Sequence, residues 1–217
     1  MDENNASAYL TSDYEGLSAE FSEVEQQPSS GYCQIYRAKR YGRWYLLKCL
    51  KPEHEGDEAY RQMLCKELEI LMRLQHPAVM QAVGMETVML PGRRQAVCMV
   101  AEWIDGMTLA EFLEQKPAAG DLRRVAVELT EALAFIHHQQ VVHRDLKPQN
   151  IMVTHNGHYV KIIDFGLADT DSHSILKQPA GTLRYMAPEQ AQQTQADVRN
   201  DIYSLGVVFQ DMNTIGG

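Results

Sequence analysis

Two charged residues stand where the sequence pattern expects apolar side chains. In the strand-like run WYLLKCL (44–50), alternate residues share a face, so Lys48 lies among leucines. In the helix-like run 57–75, Glu67 falls on the apolar stripe. A buried charge is unfavourable unless an opposite charge meets it, so a Lys48–Glu67 ion pair would satisfy both residues. Alternatively, Lys48 extends its ammonium group to water and Glu67 lies at the edge of its helix.

Four motifs further along the chain are much more specific. They are VVHRDLKPQNIMV (141–153), KIIDFG (161–166), GTLRYMAPE (181–189) and DIYSLG (201–206). In this order and spacing they resemble the signature of the eukaryotic-type, or Hanks-type, serine/threonine protein kinase family. The resemblance covers residues 21 to about 213, which is nearly the whole sequence.

The resemblance implies transfer of the ATP γ-phosphoryl group to a protein hydroxyl, with Mg²⁺ as cofactor. Asp145 would be the catalytic base for the substrate hydroxyl, and Lys147 would neutralise charge on the transferring group. Asn150, also in the catalytic set, and Asp164 would supply the oxygen ligands that Mg²⁺ prefers. Lys147 together with Thr182 resembles the serine/threonine rather than the tyrosine class.

The resemblance also assigns a nucleotide-binding set. Lys48 would bind the α- and β-phosphates, and Glu67 would hold Lys48 in place. The segment VAEWIDG (100–106) matches the family's hinge, whose backbone at Glu102 and Ile104 would bond adenine. The other positions assigned to the nucleotide are Ser30, Gly31, Cys33, Ile35, Leu46, Ala101 and Met152.

Two of these positions depart from the family pattern in opposite directions. Leu46 stands where alanine is usual, and Ala101 stands at the gatekeeper position, where a larger side chain is usual. A large residue at one wall and a small one at a nearby wall suggest compensation. We treat this as a hypothesis about the adenine pocket.

The phosphate loop, QQPSSGYCQIY, departs further. Alignment on IYRA places Pro28, Ser30 and Cys33 at the three glycine positions of the family, with Tyr32 at the aromatic tip. Glycine allows close approach to phosphate and positive φ, and serine and cysteine are small enough to keep most of that approach. Gly31 restores flexibility one position away. We therefore expect a variant loop that binds ATP.

The activation segment lacks a usual phosphorylation site. Arg144 matches the arginine that binds a phosphate there, but Gln178 occupies a common phosphosite and Asp169 stands where a second basic residue often helps. An acidic side chain would repel a phosphate. We therefore expect activity without phosphorylation near Gln178. Other possible acceptors are Thr170, Ser172 and Ser174.

The pattern of elements predicts an α+β fold of two lobes. Strands are expected within 21–50, 79–90 and 96–103, helices at 57–75 and 121–139, and a capping box at 108–111. The predicted organisation is a polar arm (1–20), an antiparallel-sheet N-lobe with one main helix (21–102) and a mainly helical C-lobe (103–217).

The C-lobe is expected to lack the family's last helices. Those helices supply the arginine that pairs with Glu189 and cover the apolar helix at 202–212, so a missing segment or a partner is expected there. Asp201 resembles the family's buried aspartate that braces the catalytic-loop backbone, a structural role.

Composition excludes some partners and compartments. The net charge of −9 argues against nucleic acid or an anionic membrane as a partner. The four cysteines show no paired or metal-binding spacing, and the N-terminus lacks the features of a signal peptide, so we expect free thiols and a cytoplasmic location. Two alternatives to a protein kinase stay open: a nucleotide-binding pseudokinase or scaffold, and a small-molecule phosphotransferase.

Overall fold

The computed structural model describes residues 20–29, 31–170, 182–188, 190 and 197–215. The chain divides into two compact units. Of the described residues, the first unit holds those up to Met72 together with Gln81–Trp103, and the second holds Arg73–Met80 and those from Ile104 onward. The predicted arm lies outside the described residues apart from Glu20.

The first unit is an antiparallel sheet with one described α-helix and two short 3₁₀ turns (Pro52–His54 and Pro91–Arg93). Its strands are β1 (Ser22–Gln27), β2 (Cys33–Arg40), β3 (Arg43–Leu50), β4 (Ala82–Leu90) and β5 (Arg94–Glu102), in the order β1-β2-β3-β5-β4. The helix α1 (Glu58–Arg73) follows β3. β2 and β3 are joined by a tight turn at Tyr41 and Gly42, which have φ of 51° and 75° and therefore fit the twist of a hairpin.

The two faces of this sheet carry different kinds of side chain. One face forms an apolar core made of Tyr36, Ala38, Leu47, Cys49, Val88, Leu90, Ala96, Cys98 and Val100. The strand period of two then places Lys48, and the residues beside it on β2 and β5, on the opposite face. The predicted nucleotide-binding side chains of this unit are therefore separated from the core residues by the sheet itself.

The second unit is mainly helical. Its described α-helices are α2 (Leu109–Glu114), α3 (Ala119–His138) and α4 (Val198–Ile215), and a 3₁₀ turn spans Pro148–Asn150. Its short strands are β6 (Gly106–Thr108), β7 (Val141–Val142), β8 (Ile151–Thr154), β9 (Val160–Ile162) and β10 (Asp169–Thr170). They form one sheet in the order β6-β8-β9 and a separate β10-β7 pair. The predicted α+β class is confirmed.

Local sequence signals explain how these elements begin and pack. Thr108 caps α2: it accepts a bond from the Glu111 amide, and the Glu111 carboxylate accepts one from the Thr108 amide, which confirms the predicted capping box. Hydrogen bonds from Thr108 lower the pKa of Glu111. Gly106 is required because a Cβ there would collide with the Val153 carbonyl across the β6–β8 ladder.

The apolar helix predicted at 202–212 is part of α4. Its buried side includes Val208 and Met212, whereas Ile202 and Tyr203 are exposed. Among the described helices, none is both long enough and apolar enough to cross a membrane.

Candidate active site

The buried charges of the first unit form a direct ion pair. The Lys48 ammonium lies 2.8 Å from Glu67 Oε1 and 2.7 Å from Oε2. The Glu67 side chain is 0% exposed and that of Lys48 is 12% exposed. The predicted pair is therefore confirmed, and Lys48 does not extend to water as the alternative interpretation required. Removing one partner of a buried ion pair is strongly destabilising.

Neighbouring strands place other predicted residues around Lys48. Ile35 on β2 and Met99 on β5 are its direct cross-strand partners. Leu46, two residues before Lys48, stands directly opposite Ala101. Cross-strand partners have Cβ atoms about 4.5–5.5 Å apart on one face of the sheet, so the large and the small side chain are immediate neighbours. This register is what the compensation hypothesis requires.

The end of β5 is fixed by two hydrogen bonds to Gln81. The Glu102 amide donates to the Gln81 carbonyl at 2.9 Å, and the Gln81 amide donates to Glu102 Oε1 at 2.8 Å. Ile104, the other predicted hinge residue, is the first residue after this unit. Sequence reasoning missed Gln81 because it lies 21 positions before its partner Glu102 and carries no motif.

The predicted phosphate loop joins β1 to β2. Gly31 has φ of +70°, the conformation that favours glycine. Pro28 is exposed, whereas the Cys33 side chain is buried at the start of β2. Ser30 lies outside the described residues. Gly31 thus supplies a position of positive φ within the predicted loop.

In the second unit, four hydrogen bonds hold the carboxylate of Asp145. Oδ1 accepts from the Thr182 amide at 2.9 Å and from the Thr182 hydroxyl at 2.8 Å. Oδ2 accepts from Lys147 Nζ at 2.6 Å and from Asn150 Nδ2 at 3.0 Å. Lys147 also donates to Thr182 Oγ1 at 2.7 Å. Each predicted catalytic residue of this loop therefore contacts Asp145 directly.

Asp201 fixes the backbone that carries Asp145. Its carboxylate accepts bonds from the amides of His143 and Arg144, each at 2.8 Å, and lies 2.9 Å from His137 Nε2. Arg144 is held at φ of 68°, a conformation that is unfavourable for a non-glycine residue and needs support from its surroundings. The bracing contact predicted for Asp201 is confirmed.

His143 links the segment around Asp145 to the segment that precedes Asp164. Its Nδ1 accepts a bond from the Asp145 amide at 3.3 Å, so Nε2 carries the proton and donates to the Ile163 carbonyl at 3.0 Å. The Ile163 amide in turn donates to the Asn150 carbonyl at 2.9 Å. The residue next to Asp164 is therefore bonded to the backbone of Asn150, and Asp164 itself has φ of 61°. Met152 is half-buried on β8 beside Lys161.

A polar cluster that the sequence did not reveal lies after Thr182. The Tyr185 hydroxyl donates to Asp211 Oδ2 at 2.9 Å, and Arg184 pairs with the same carboxylate. Burial, followed by the contact with Asp211, raises the pKa of Tyr185 to about 12. Because Asp211 sits on α4, this cluster attaches the segment around Tyr185 to that helix.

The remaining predicted positions lie in or next to the activation segment. Gln178, Ser172, Ser174 and Glu189 lie outside the described residues. Asp169 and Thr170 form β10, but their side chains are not described. The expectation about phosphorylation therefore stays a prediction.

Comparison with known proteins identifies the family. The model of the protein kinase domain matches residues 28–215. A probable serine/threonine-protein kinase of Streptomyces coelicolor is 32% identical over 199 residues, covering 85% of this chain and 28% of that protein. One from Clostridium perfringens is 33% identical over 191 residues, covering 85% and 27%.

A plant relative gives the same result. Mitogen-activated protein kinase kinase 2 of Arabidopsis thaliana is 32% identical over 191 residues, covering 86% of this chain and 50% of that protein. The chain thus spans between about a quarter and a half of the length of these relatives. The domain match, the named relatives and the four sequence motifs lead to one conclusion: the chain belongs to the protein kinase family, among the Hanks-type serine/threonine kinases.

Proposed function

We propose that this chain acts as a serine/threonine protein kinase that transfers the γ-phosphoryl group of ATP to a protein hydroxyl. The observation that carries the proposal is the Asp145 carboxylate, which is held by Thr182, Lys147 and Asn150. Relatives named as serine/threonine kinases support the substrate class.

Asp145 is the group that acts on the substrate hydroxyl. Hydrogen bonds at both oxygens restrict the rotation of its carboxylate, so a lone pair can be presented to the attacking hydroxyl in one orientation. Lys147, at 2.6 Å, brings a positive charge beside it, which suits a reaction in which charge develops on the transferring oxygens. Thr182 orients both residues because it bonds to each.

The residues assigned to Mg²⁺ suit that ion. Asn150 uses its amide nitrogen as a donor to Asp145, which leaves its side-chain oxygen to act as a metal ligand. Asp164 adds a carboxylate and is exposed. An oxygen-only donor set suits Mg²⁺ better than a softer metal. When bound, Mg²⁺ would neutralise phosphate charge.

Lys48 is proposed to bind the phosphates of ATP. Its ammonium is held by Glu67 on the face of the sheet that also carries Ile35, Leu46 and Ala101. An ion-paired ammonium has a fixed position, so less conformational entropy is lost when phosphate binds. We propose that Leu46 and Ala101 together shape the contact with adenine.

The alternatives have no specific support. A pseudokinase or scaffold would be favoured by a missing catalytic group, but Lys48, Glu67, Asp145, Asn150 and Asp164 are all present. A small-molecule phosphotransferase would not be expected to share the activation motif that runs from Thr182 to the APE sequence. A phosphoprotein product would separate the two enzyme classes.

Phosphotransfer from labelled ATP, compared between the wild type and Asp145→Asn, tests the proposal. Loss of a general base costs roughly 10²- to 10⁴-fold in rate. Equal background labelling by both proteins would refute the enzyme interpretation. A thermal shift with Mg·ATP then separates a nucleotide-binding scaffold from a protein that binds no nucleotide.

We also propose a cytoplasmic location. All four cysteines are free thiols, which is compatible with a reducing compartment. Localisation of a tagged full-length protein by cell fractionation tests this, and recovery outside the cytoplasm would contradict it.

A further inference from the structure

Tyr32, at the tip of the predicted phosphate loop, stacks on a residue of α1. The rings of Tyr32 and Tyr60 have centroids 4.9 Å apart and planes inclined by 22°. His54, in a 3₁₀ turn (Pro52–His54) before α1, also contacts Tyr60, with centroids 4.7 Å apart. Tyr60 is thus the ring that both contacts share.

The backbone supports the same arrangement. The Lys51 amide donates to the Tyr32 carbonyl at 3.0 Å, and the His54 amide donates to the Lys51 carbonyl at 2.8 Å. Cys33, next to Tyr32, is buried and pairs with Leu50 at the end of β3. The second half of the loop is therefore attached to the β3–α1 connection through its main chain and to α1 through an aromatic ring.

The same helix carries Glu67. Tyr60 and Glu67 are seven residues apart on α1, which is about two helical turns, so they lie on the same helix face. Glu67 holds Lys48 through two short contacts. A shift of α1 would therefore disturb the Tyr32 stack and the ion pair together.

We propose that Tyr60 is a positioning residue for the nucleotide phosphates. Its stack with Tyr32 fixes the loop tip on α1 and so couples the loop to the Lys48–Glu67 pair. In a loop with a single glycine, this contact orders the backbone before ATP arrives. The inference rests on the proposed use of ATP, but the contact itself can be tested without catalysis.

Substitution of Tyr60 is the first test. An aromatic pair is worth about 0.5–1.5 kcal/mol, so Tyr60→Ala should weaken Mg·ATP binding and raise KM by about two- to tenfold. The kcat should change by less than about twofold, because Asp145 and its donors are held by contacts within the second unit. Tyr60→Phe keeps the ring, so its Mg·ATP affinity and its KM should match those of the wild type. Tyr41→Ala is the matched control, since Tyr41 is in the first unit and 77% exposed.

A double-mutant cycle and hydrogen exchange complete the test. Tyr32→Ala and Tyr60→Ala should not add, so the double variant should bind Mg·ATP about as weakly as either single variant. Backbone amides of residues 31–36 should exchange faster in Tyr60→Ala than in Tyr60→Phe, without any nucleotide.

The outcomes separate this inference from the proposed function. Unchanged or tighter Mg·ATP binding by Tyr60→Ala, or additive effects in the cycle, would overturn the positioning role even if the wild type is an active kinase. A wild type that binds Mg·ATP but transfers no phosphate would contradict the proposed function alone.

Discussion

Replacing Thr182 with alanine would remove the hydroxyl that bonds to both Asp145 and Lys147. The Asp145 carboxylate would keep its bonds from the Thr182 amide, Lys147 and Asn150 but lose the 2.8 Å bond from the hydroxyl. Lys147 would lose its 2.7 Å contact with the same oxygen. The backbone would be unchanged, so the substitution affects the orientation of the two side chains and not the fold.

The expected magnitude follows from these contacts. A hydrogen bond to a charged group is worth about 1.5–3 kcal/mol. If that energy holds Asp145 and Lys147 in their reactive orientation, Thr182→Ala should lower kcat by roughly ten- to a hundredfold. The KM for ATP should stay within about twofold, since Thr182 is not among the residues assigned to the nucleotide.

Steady-state phosphotransfer to a Ser/Thr-containing acceptor protein is the assay. Thr182→Ser keeps the hydroxyl and should retain most of the activity. Thr130→Ala, which removes an exposed hydroxyl that donates to the Ala126 carbonyl of the same helix, should be neutral. Wild-type kcat in Thr182→Ala, or equal losses in the serine and alanine variants, would refute the idea that the hydroxyl orients Asp145.

Three further predictions concern the ion pair, the adenine wall and the buried tyrosine. Glu67→Gln should lower the free energy of unfolding by up to about 3 kcal/mol because it breaks the buried Lys48–Glu67 ion pair. An unchanged midpoint in chemical denaturation would contradict this. Leu46→Ala and Ala101→Met should each weaken Mg·ATP binding, and the double variant should recover it. Calorimetric titration measures the affinity of each variant. Tighter binding by Leu46→Ala together with unchanged binding by Ala101→Met would exclude compensation. Because burial raises the pKa of Tyr185 from 10.0 to about 12, the folded state holds this proton more tightly than the unfolded state, so the stability it contributes is present below pH 10 and lost as the pH rises towards 12. Between pH 10 and 12 the free energy of unfolding should fall more steeply for the wild type than for Tyr185→Phe. Parallel pH dependences of the two proteins would refute the raised pKa of Tyr185.

The ion pair could be predicted from sequence because local periodicity identifies both charges. Lys48 breaks an apolar strand face and Glu67 breaks an apolar helix stripe, so each residue required a partner. The capping box at Thr108 and Glu111 was also predictable, because it depends on residues three positions apart.

Contacts between distant segments could not be predicted in the same way. Thr182 was identified from its motif as a mark of the serine/threonine class, but its bond to Asp145 spans 37 positions and depends on how the chain folds back. The facing of Leu46 and Ala101 depends on strand register, which is set by the whole ladder between β3 and β5. The stack between Tyr32 and Tyr60 could not be predicted either, since a stacking partner in a distant segment leaves no periodic signal.

Phosphoamino-acid analysis of an acceptor protein labelled from γ-labelled ATP tests the central claim most directly. The wild type should place label on serine or threonine, and Asp145→Asn should reduce that label by roughly 10²- to 10⁴-fold. Labelling of the acceptor by the wild type at the level of Asp145→Asn, or on tyrosine alone, would contradict the account.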